Sequence, residues 1–514
     1  MKRVLALILA CMLCLTATAE VLDYDGTAPL FDEPVTISIL TKTNTNLNWQ
    51  EMPWFSGLFE MANVNPEIEM FDSTSYRDVA KARLAAGVNL PDLVKLPNAD
   101  QDMTYINSGL FIELTDLIEK YGYNIKRVLG EGVYENVMKQ MMTPDGEIYY
   151  IPALNPSNSI RTPMINAAWL EKLNMDAPKN MDEFYEMLVA FKNNDVNGNG
   201  DVSDEVPLFT RPDRVALWGI YWGLDLSVGW KADDDGVVSC SYATDAYYEF
   251  LKYFNKLYAE GLLYNEFAVA TSDTQAALFA NDQIGVNIDY ISNMTGYSTR
   301  INPEWDSSKD ALIMQAFEPL TGPYGDKVVY GNMLFDGSGC MGITVECENP
   351  EEVFCFLDWV WSDEALTLMW YGQEGVDYTM DENGNMVLSE QYLVNKDNYK
   401  VNNGYNIRCL NDIKIDSLAI MVEPTQTQEI YDMLMPYLEM PTVQYCYSLS
   451  DEVDVLSMYK ADIQTYFSEM LISFITGATP LTEESFADYR KKLDALHVED
   501  LTAVYQAQYD RMQG

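Results

Sequence analysis

An α/β fold in more than one domain is predicted for this chain on three grounds. Short β-branched runs alternate with amphipathic helical stretches through the first two thirds, the final third reads as helix, and 514 residues with 48% hydrophobic content exceed what one core holds.

The elements follow in order. Lys2 and Arg3 precede an apolar run over 4–15, and Ala17, Thr18 and Ala19 supply a small-x-small cleavage pattern, so residues 1–19 are expected to be a signal peptide. Residues 8–11, ending in Cys11, form a competing lipobox-like site that would leave the mature chain lipid-anchored. No later stretch reaches the roughly 18 apolar residues a spanning helix needs. Export to an extracellular or periplasmic location is therefore expected.

Residues 35–40 are β-branched and strand-like, 91–96 end a helical stretch with a second strand, and 147–151 make another. Over 182–192 the spacing of Phe184, Tyr185, Leu188 and Phe191 puts an apolar stripe on one helix face. Further strands are expected at 283–288, 311–317 and 340–345, ahead of the helical C-terminal third.

The helix over 182–192 runs into the most informative local pattern in the chain. Asp195, Asn197 and Asn199 place oxygen ligands at alternate positions, Gly200 supplies a sharp turn, and Asp201 can add its carbonyl, as in the opening of a Ca2+ loop. The usual twelfth-position Glu is replaced by Val206, which leaves Asp204 or Glu205 to close the shell, with Ser203 acting through water. The same residues also favour a metal-free solvated turn. No second helix follows to pair as an EF-hand, so a bound ion would have a structural role.

Charge and motif content exclude several functions. With 32 Lys+Arg against 79 Asp+Glu the net charge is −47, which disfavours a nucleic-acid partner. The six cysteines beyond the leader, at 240, 340, 347, 355, 409 and 446, have no CxxC spacing, and the sole histidine is His497. Zinc sites and His-based triads therefore lack their residues, and His497 is expected at the surface. Residues 337–342 match GxGxxG but precede a strand instead of following one, which fails the dinucleotide context. Glu374 and Asp377 could be cast as the two carboxylates, about 5–10 Å apart, of a glycoside hydrolase. In so acidic a chain such pairs arise by chance.

Several motifs in order point to a family. They are Leu84-Ala85-Ala86-Gly87 with Leu90-Pro91-Asp92-Leu93, Trp169-Leu170-Glu171-Lys172-Leu173-Asn174 followed by the helix and acidic loop, and Gly229-Trp230 with Asp234-Asp235-Gly236-Val237. Leu257-Tyr258-Ala259-Glu260-Gly261-Leu262, then 371–378, Phe474-Ile475-Thr476-Gly477 and the helix around Tyr505 to Arg511 continue the series. Over nearly its whole mature length the chain resembles the extracellular solute-binding proteins of family 1, in particular long members that bind oligosaccharides for ABC importers.

That resemblance implies a two-lobed periplasmic-binding-protein-like fold of type II, with a ligand cleft between hinged lobes. Lobe 1 is expected over 20–153 plus 312–367, and lobe 2 over 154–311 plus 368–514. Some similar proteins carry calcium at the matching acidic loop. A monomer that delivers an oligosaccharide or other small solute to permease subunits is implied, without catalysis. A secreted glycan-binding module with no transport role is the alternative.

Sugar recognition needs flat apolar faces and hydrogen-bonding rims, and aromatics make up 12% of the chain. The resemblance points to Trp218, Trp222 and Trp230 in lobe 2, to Tyr290 at a strand end, and to Trp370. Asn44 and Trp49 follow the first strand, and Asn98 and Asp100 the second, where loops beyond strand ends form crevices. Trp359, Trp361 and Cys355 are expected in the core.

Overall fold

The structure, a computed structural model, describes residues 22–43, 48–97, 104–130, 132–155, 159–307, 309–324, 327–335, 337, 339–381, 386–390, 410 and 425–513. The leader at 1–19, with Cys11, lies outside these, as do Asn44, Asn98, Asp100 and Cys409. In chain order the strands are β1 (Val35–Thr43), β2 (Val64–Asp72), β3 (Leu93–Lys95), β4 (Ile160–Asn166), β5 (Val206–Phe209), β6 (Trp230–Ala232) and β7 (Val238–Cys240). They continue with β8 (Ile284–Tyr290), β9 (Met314–Ala316), β10 (Val329–Gly331), β11 (Met341–Ile343), β12 (Tyr378–Met380), β13 (Met386–Leu388) and β14 (Leu438–Glu439).

Two sheets organise two lobes. The first has the order β11-β3-β1-β2, with β1 parallel to β2 and β3 and β11 antiparallel to β3. Its apolar residues share one core with the helices Pro53–Ala62, Tyr123–Leu129 and Pro350–Trp359. The second sheet has the order β14-β10-β4-β8-β5, with β9 beside β4. Its main core takes in the helices Met181–Asn193, Asp245–Ala259, Ser450–Thr476 and Glu483–Ala495. A smaller core lies under β9 and the helix Met294–Ile301.

The local reasons are legible. β1 turns Ile37, Ile39, Thr41 and Thr43 inward on one face and buries Leu40 from the other. β4 is buried throughout although Pro163 sits in its middle. β10 pairs with residues 160 and 161 of β4 and β9 with 164–166, so Pro163 falls in the gap between two short neighbours on that edge, where no donor is required. The helix Met181–Asn193 starts at Asn180, whose side chain accepts from the amides of Asp182 and Glu183, and it buries Met181, Phe184, Met187, Leu188 and Phe191.

Three sequence-based expectations need correction. No strand forms at 147–151, because Ile148 instead donates to Thr115 Oγ1 and accepts from the Leu114 amide, leaving only an isolated bridge between Ile151 and Met341. β2 was not anticipated: Asn65, Pro66 and three acids disguise it, and it is tolerated because it is an edge strand exposed along alternate positions. The lobe borders also move. β9 and β10 pair with β4, which places 314–331 in the second lobe instead of the first, while Leu368, Met369, Tyr371, Tyr378 and Met386 pack into the first core instead of the second.

Trp359, Trp361 and Cys355 are fully buried as expected, and Cys240, Cys347, Cys355 and Cys446 are free thiols. His497 stacks on Tyr459 and bonds to Asp500 at an exposed helix junction. Among the described residues no helix is long and apolar enough to cross a membrane.

Candidate functional site: the cleft between the lobes

Three described segments pass between the lobes. Asn155 donates its amide to the Leu334 carbonyl and its side chain to the Met333 carbonyl, so the stretches leaving Leu154 and Gly331 run side by side. The third leaves β14: Tyr445 packs edge-on against Phe335 and Tyr447 donates to the Gln140 carbonyl, after which the chain enters the helix Ser450–Thr476. These segments and the upper edge of the second sheet enclose a cavity of about 500 Å3.

Strand register builds its floor. Arg161 near the start of β4 lies directly opposite Tyr290 at the end of β8 on one side, and opposite Tyr330 of β10 on the other. Directly paired residues of an antiparallel ladder share a face, so the three side chains form one row. The guanidinium carbon of Arg161 lies 4.5 Å from the Tyr330 ring centre and 5.5 Å from that of Tyr290. Tyr330 donates its hydroxyl to Asp225 Oδ1 at 3.0 Å, and that oxygen also accepts the amides of Ser227 and Val228. Burial pushes the Asp225 carboxyl above its ordinary range. Asn332 donates to the Tyr290 hydroxyl at 3.2 Å and to Ser159 Oγ at 2.9 Å, which orients both donors at the rim.

The opposite wall comes from the third crossing and the C-terminal helices: Gln444, Tyr445, Cys446 and Ser448, then Lys460, Gln464, Tyr505 and Gln508. Gln508 donates to Ser448 Oγ at 3.0 Å, and Gln140 donates to Gln444, a direct link from the first lobe to the wall. Phenol rings beside amides and hydroxyls suit a ligand with apolar C–H faces and many hydroxyls.

Of the aromatic residues expected to contact a ligand, the structure brings only Tyr290 to this cavity. Trp218, Trp222 and Trp230 are corrected. Trp218 is 0% exposed against Phe184 and Phe254, and Trp222 packs on Phe250 and Tyr253. Trp230 rests on Tyr505 while its indole donates to Thr502 Oγ1 at 2.8 Å, so none of these rings offers a face to a solute. Their regular clustering on the helix Asp245–Ala259 and the C-terminal helices makes them the interior of the second lobe. Trp49 is half-buried against Phe55 and Phe59, and Trp370 packs against the first core. Arg161, Tyr330, Asn332, Gln444 and Tyr505 were missed. One signal was available: Arg161 is the lone charge in its strand, in a chain poor in bases.

The acidic loop lies apart, between the helix Met181–Asn193 and β5. Asp195 accepts the amides of Gly198 and Gly200, both at positive φ, and Asn197, Asn199 and Asp201 each accept an amide two residues on. The side chains of Asn197 and Asn199 donate to Asp204, which also accepts from Gln283. Glu205 is the telling residue. Its Oε1 accepts the Val196 amide at 3.0 Å, its Oε2 is buried with no hydrogen-bond partner, and burial raises its pKa. Among the described residues no three acidic, His or Cys side chains converge into a ready cage. The oxygen-only donor set and the orphaned Glu205 oxygen nevertheless fit a hard cation.

Asp377, considered above as half of a catalytic pair, is buried and accepts the Gln373 amide at 2.8 Å, so it caps a turn, and it is not among the residues that line the cavity.

Comparison with known proteins gives concordant matches. A family model described as bacterial extracellular solute-binding protein matches residues 58–376. The Bacillus subtilis polygalacturonan/rhamnogalacturonan-binding protein YtcQ is 26% identical over 343 residues, 65% of this chain and 65% of that protein, so the match spans somewhat less than two thirds of the relative. The Streptococcus pneumoniae fructooligosaccharide ABC transporter substrate-binding protein FusA is 26% identical over 478 residues, 86% of this chain and 84% of that one. A solved structure of FusA, an EF-hand mutant in complex with fructo-nystose, superimposes with a TM-score of 0.73 at 21% identity, covering 93% of this chain and 99% of that one. The alginate-binding protein AlgQ2, solved without calcium ion, superimposes with a TM-score of 0.75 at 23% identity, covering 93% and 99%. These likenesses show the two-lobed fold.

Proposed function

The chain belongs to the bacterial extracellular solute-binding protein family, and on that premise we propose that it captures an oligosaccharide between its lobes and hands it to the permease of an ABC importer. The observation that carries this reading is the 500 Å3 cavity whose floor comes from the second sheet and whose wall comes from segments tied to both lobes. The names of the YtcQ and FusA relatives, which bind polysaccharide and fructooligosaccharide, support carbohydrate as the solute. The protein acts as a monomer after export, with residues 1–19 removed or, if processing occurs at Cys11, with a lipid anchor.

Contacts from both lobes make closure the state a ligand favours. Thermal-shift screening against an oligosaccharide panel, followed by small-angle scattering with the best hit, tests the proposal. A raised melting temperature with a reduced radius of gyration is expected. An unchanged radius at saturating sugar, or shortened sugar products after incubation, would overturn it.

For the acidic loop we propose a structural Ca2+ held by Asp195, Asn197, Asn199, the Asp201 carbonyl, Asp204 and Glu205. Its support is the orphaned Glu205 oxygen, together with calcium and an EF-hand in the descriptions of the AlgQ2 and FusA structures. The ion would join the end of a packed helix to β5, and so stiffen the second lobe without touching the solute.

A further inference from the structure

Arg161 is 9% exposed, and its Nε is buried without a hydrogen-bond partner. No described carboxylate lies within ion-pair distance of it, whereas its neighbour Arg214 is paired with Asp213 and Asp289. Asp225 acts on it from beyond ion-pair distance: its Oδ1 accepts from Tyr330, Ser227 and Val228, while its Oδ2 is buried with no hydrogen-bond partner. The guanidinium lies over the Tyr290 and Tyr330 rings, and no described residue accepts a hydrogen bond from its Nε. Burying a cation with no carboxylate in direct contact is costly, and a neighbouring ring recovers only part of that cost.

The sign of the cavity is the second observation. In a chain of net charge −47, the described cavity lining contains Arg161 and Lys460 and no carboxylate. A neutral oligosaccharide would meet amides and phenols and leave the Arg161 edge to be satisfied by hydroxyls alone. A planar carboxylate matches a guanidinium edge with two parallel hydrogen bonds.

We propose that the solute of the cleft is an acidic oligosaccharide built from uronic acids, and that Arg161 is the specificity residue that receives a sugar carboxylate. The inference rests on the reading of the cleft as an oligosaccharide site and narrows it. Tyr290 and Tyr330 hold the fork in place, and no acid among the described lining residues repels the anion.

The test is calorimetry on the mature chain with a panel of oligouronates, the carboxyl-reduced neutral counterpart of each, and a sulfated oligosaccharide. At least one oligouronate is expected to bind about 30-fold or more tighter than its reduced counterpart, the worth of a charge-assisted bidentate pair. Arg161→Gln should shrink that ratio below about 5-fold, and Arg161→Lys, which keeps the charge but loses the fork, should fall between. Equal or tighter binding of the reduced sugar by the native protein overturns the inference while leaving an oligosaccharide-binding function standing. So does preference for the sulfated sugar over every uronate. Failure of every sugar, acidic or neutral, to bind overturns both.

Discussion

Arg161 faces Tyr330 across the β4/β10 ladder with its guanidinium carbon 4.5 Å from the ring centre, and the Tyr330 hydroxyl reaches on to Asp225 at 3.0 Å. One phenol therefore serves two neighbours, with its ring under a cation and its hydroxyl on a buried carboxylate. The two roles can be separated. Tyr330→Phe keeps the ring and removes one of three donors to Asp225 Oδ1, so a stability loss of about 1 kcal/mol is expected with sugar preference retained. Tyr330→Ala should weaken sugar binding as well, by about 10-fold. Urea titration and calorimetry read the two effects, and equal sugar affinities in all three proteins would show that the ring does not position Arg161.

Trp218 lies against Phe184, Tyr221 and Phe254 with no exposed surface. Trp218→Ala should cost about 3–5 kcal/mol through lost burial and the cavity left behind. The fraction that remains folded should bind sugar as the native protein does. A large drop in affinity at native stability would restore Trp218 to the binding surface.

Asp358 gathers four donors from separate parts of the first lobe: the Tyr24 hydroxyl at 2.7 Å, the Ile125 amide, and the amide and side chain of Asn124. It fastens the N-terminal segment and the start of the helix Tyr123–Leu129 to the helix Pro350–Trp359. Asp358→Ala leaves those buried donors without an acceptor, and a loss of about 3 kcal/mol is expected. Chemical denaturation measures it, and a loss under about 1 kcal/mol would mean water replaces the carboxylate.

Chelation should lower the melting temperature without a comparable change in sugar affinity, because the acidic loop joins a helix to β5 away from the cavity. Glu205→Gln should abolish the stabilisation by added Ca2+, since it removes the charge of the carboxylate whose Oε2 is orphaned. Loss of the sugar response in a still-folded, chelated protein would sink the assignment of a purely structural ion.

Much of the fold was legible where the pattern is local. The helix Met181–Asn193 announces itself by its apolar stripe, the strands β9 and β11 fall inside the windows their composition predicts, and β1 and β8 overlap theirs and run two or three residues further. β2 was hidden because an edge strand tolerates acids and proline, and 147–151 misled because β propensity there is spent against loop and helix partners. The tryptophans misled in the same way. Aromatic content says that large rings must be buried somewhere, and both a lobe interior and a sugar platform satisfy that requirement.

By itself the sequence determined the α/β alternation, the acidic character that excludes nucleic acid, and the loop chemistry at 195–205, because each depends on residues close together in the chain. Only the tertiary structure decided which aromatic rings meet the cleft and that Arg161 stands between Tyr290 and Tyr330. Those partners are set by the register of β4 against β8 and β10, and register is a property of the paired sheet, fixed when distant strands bury their common face.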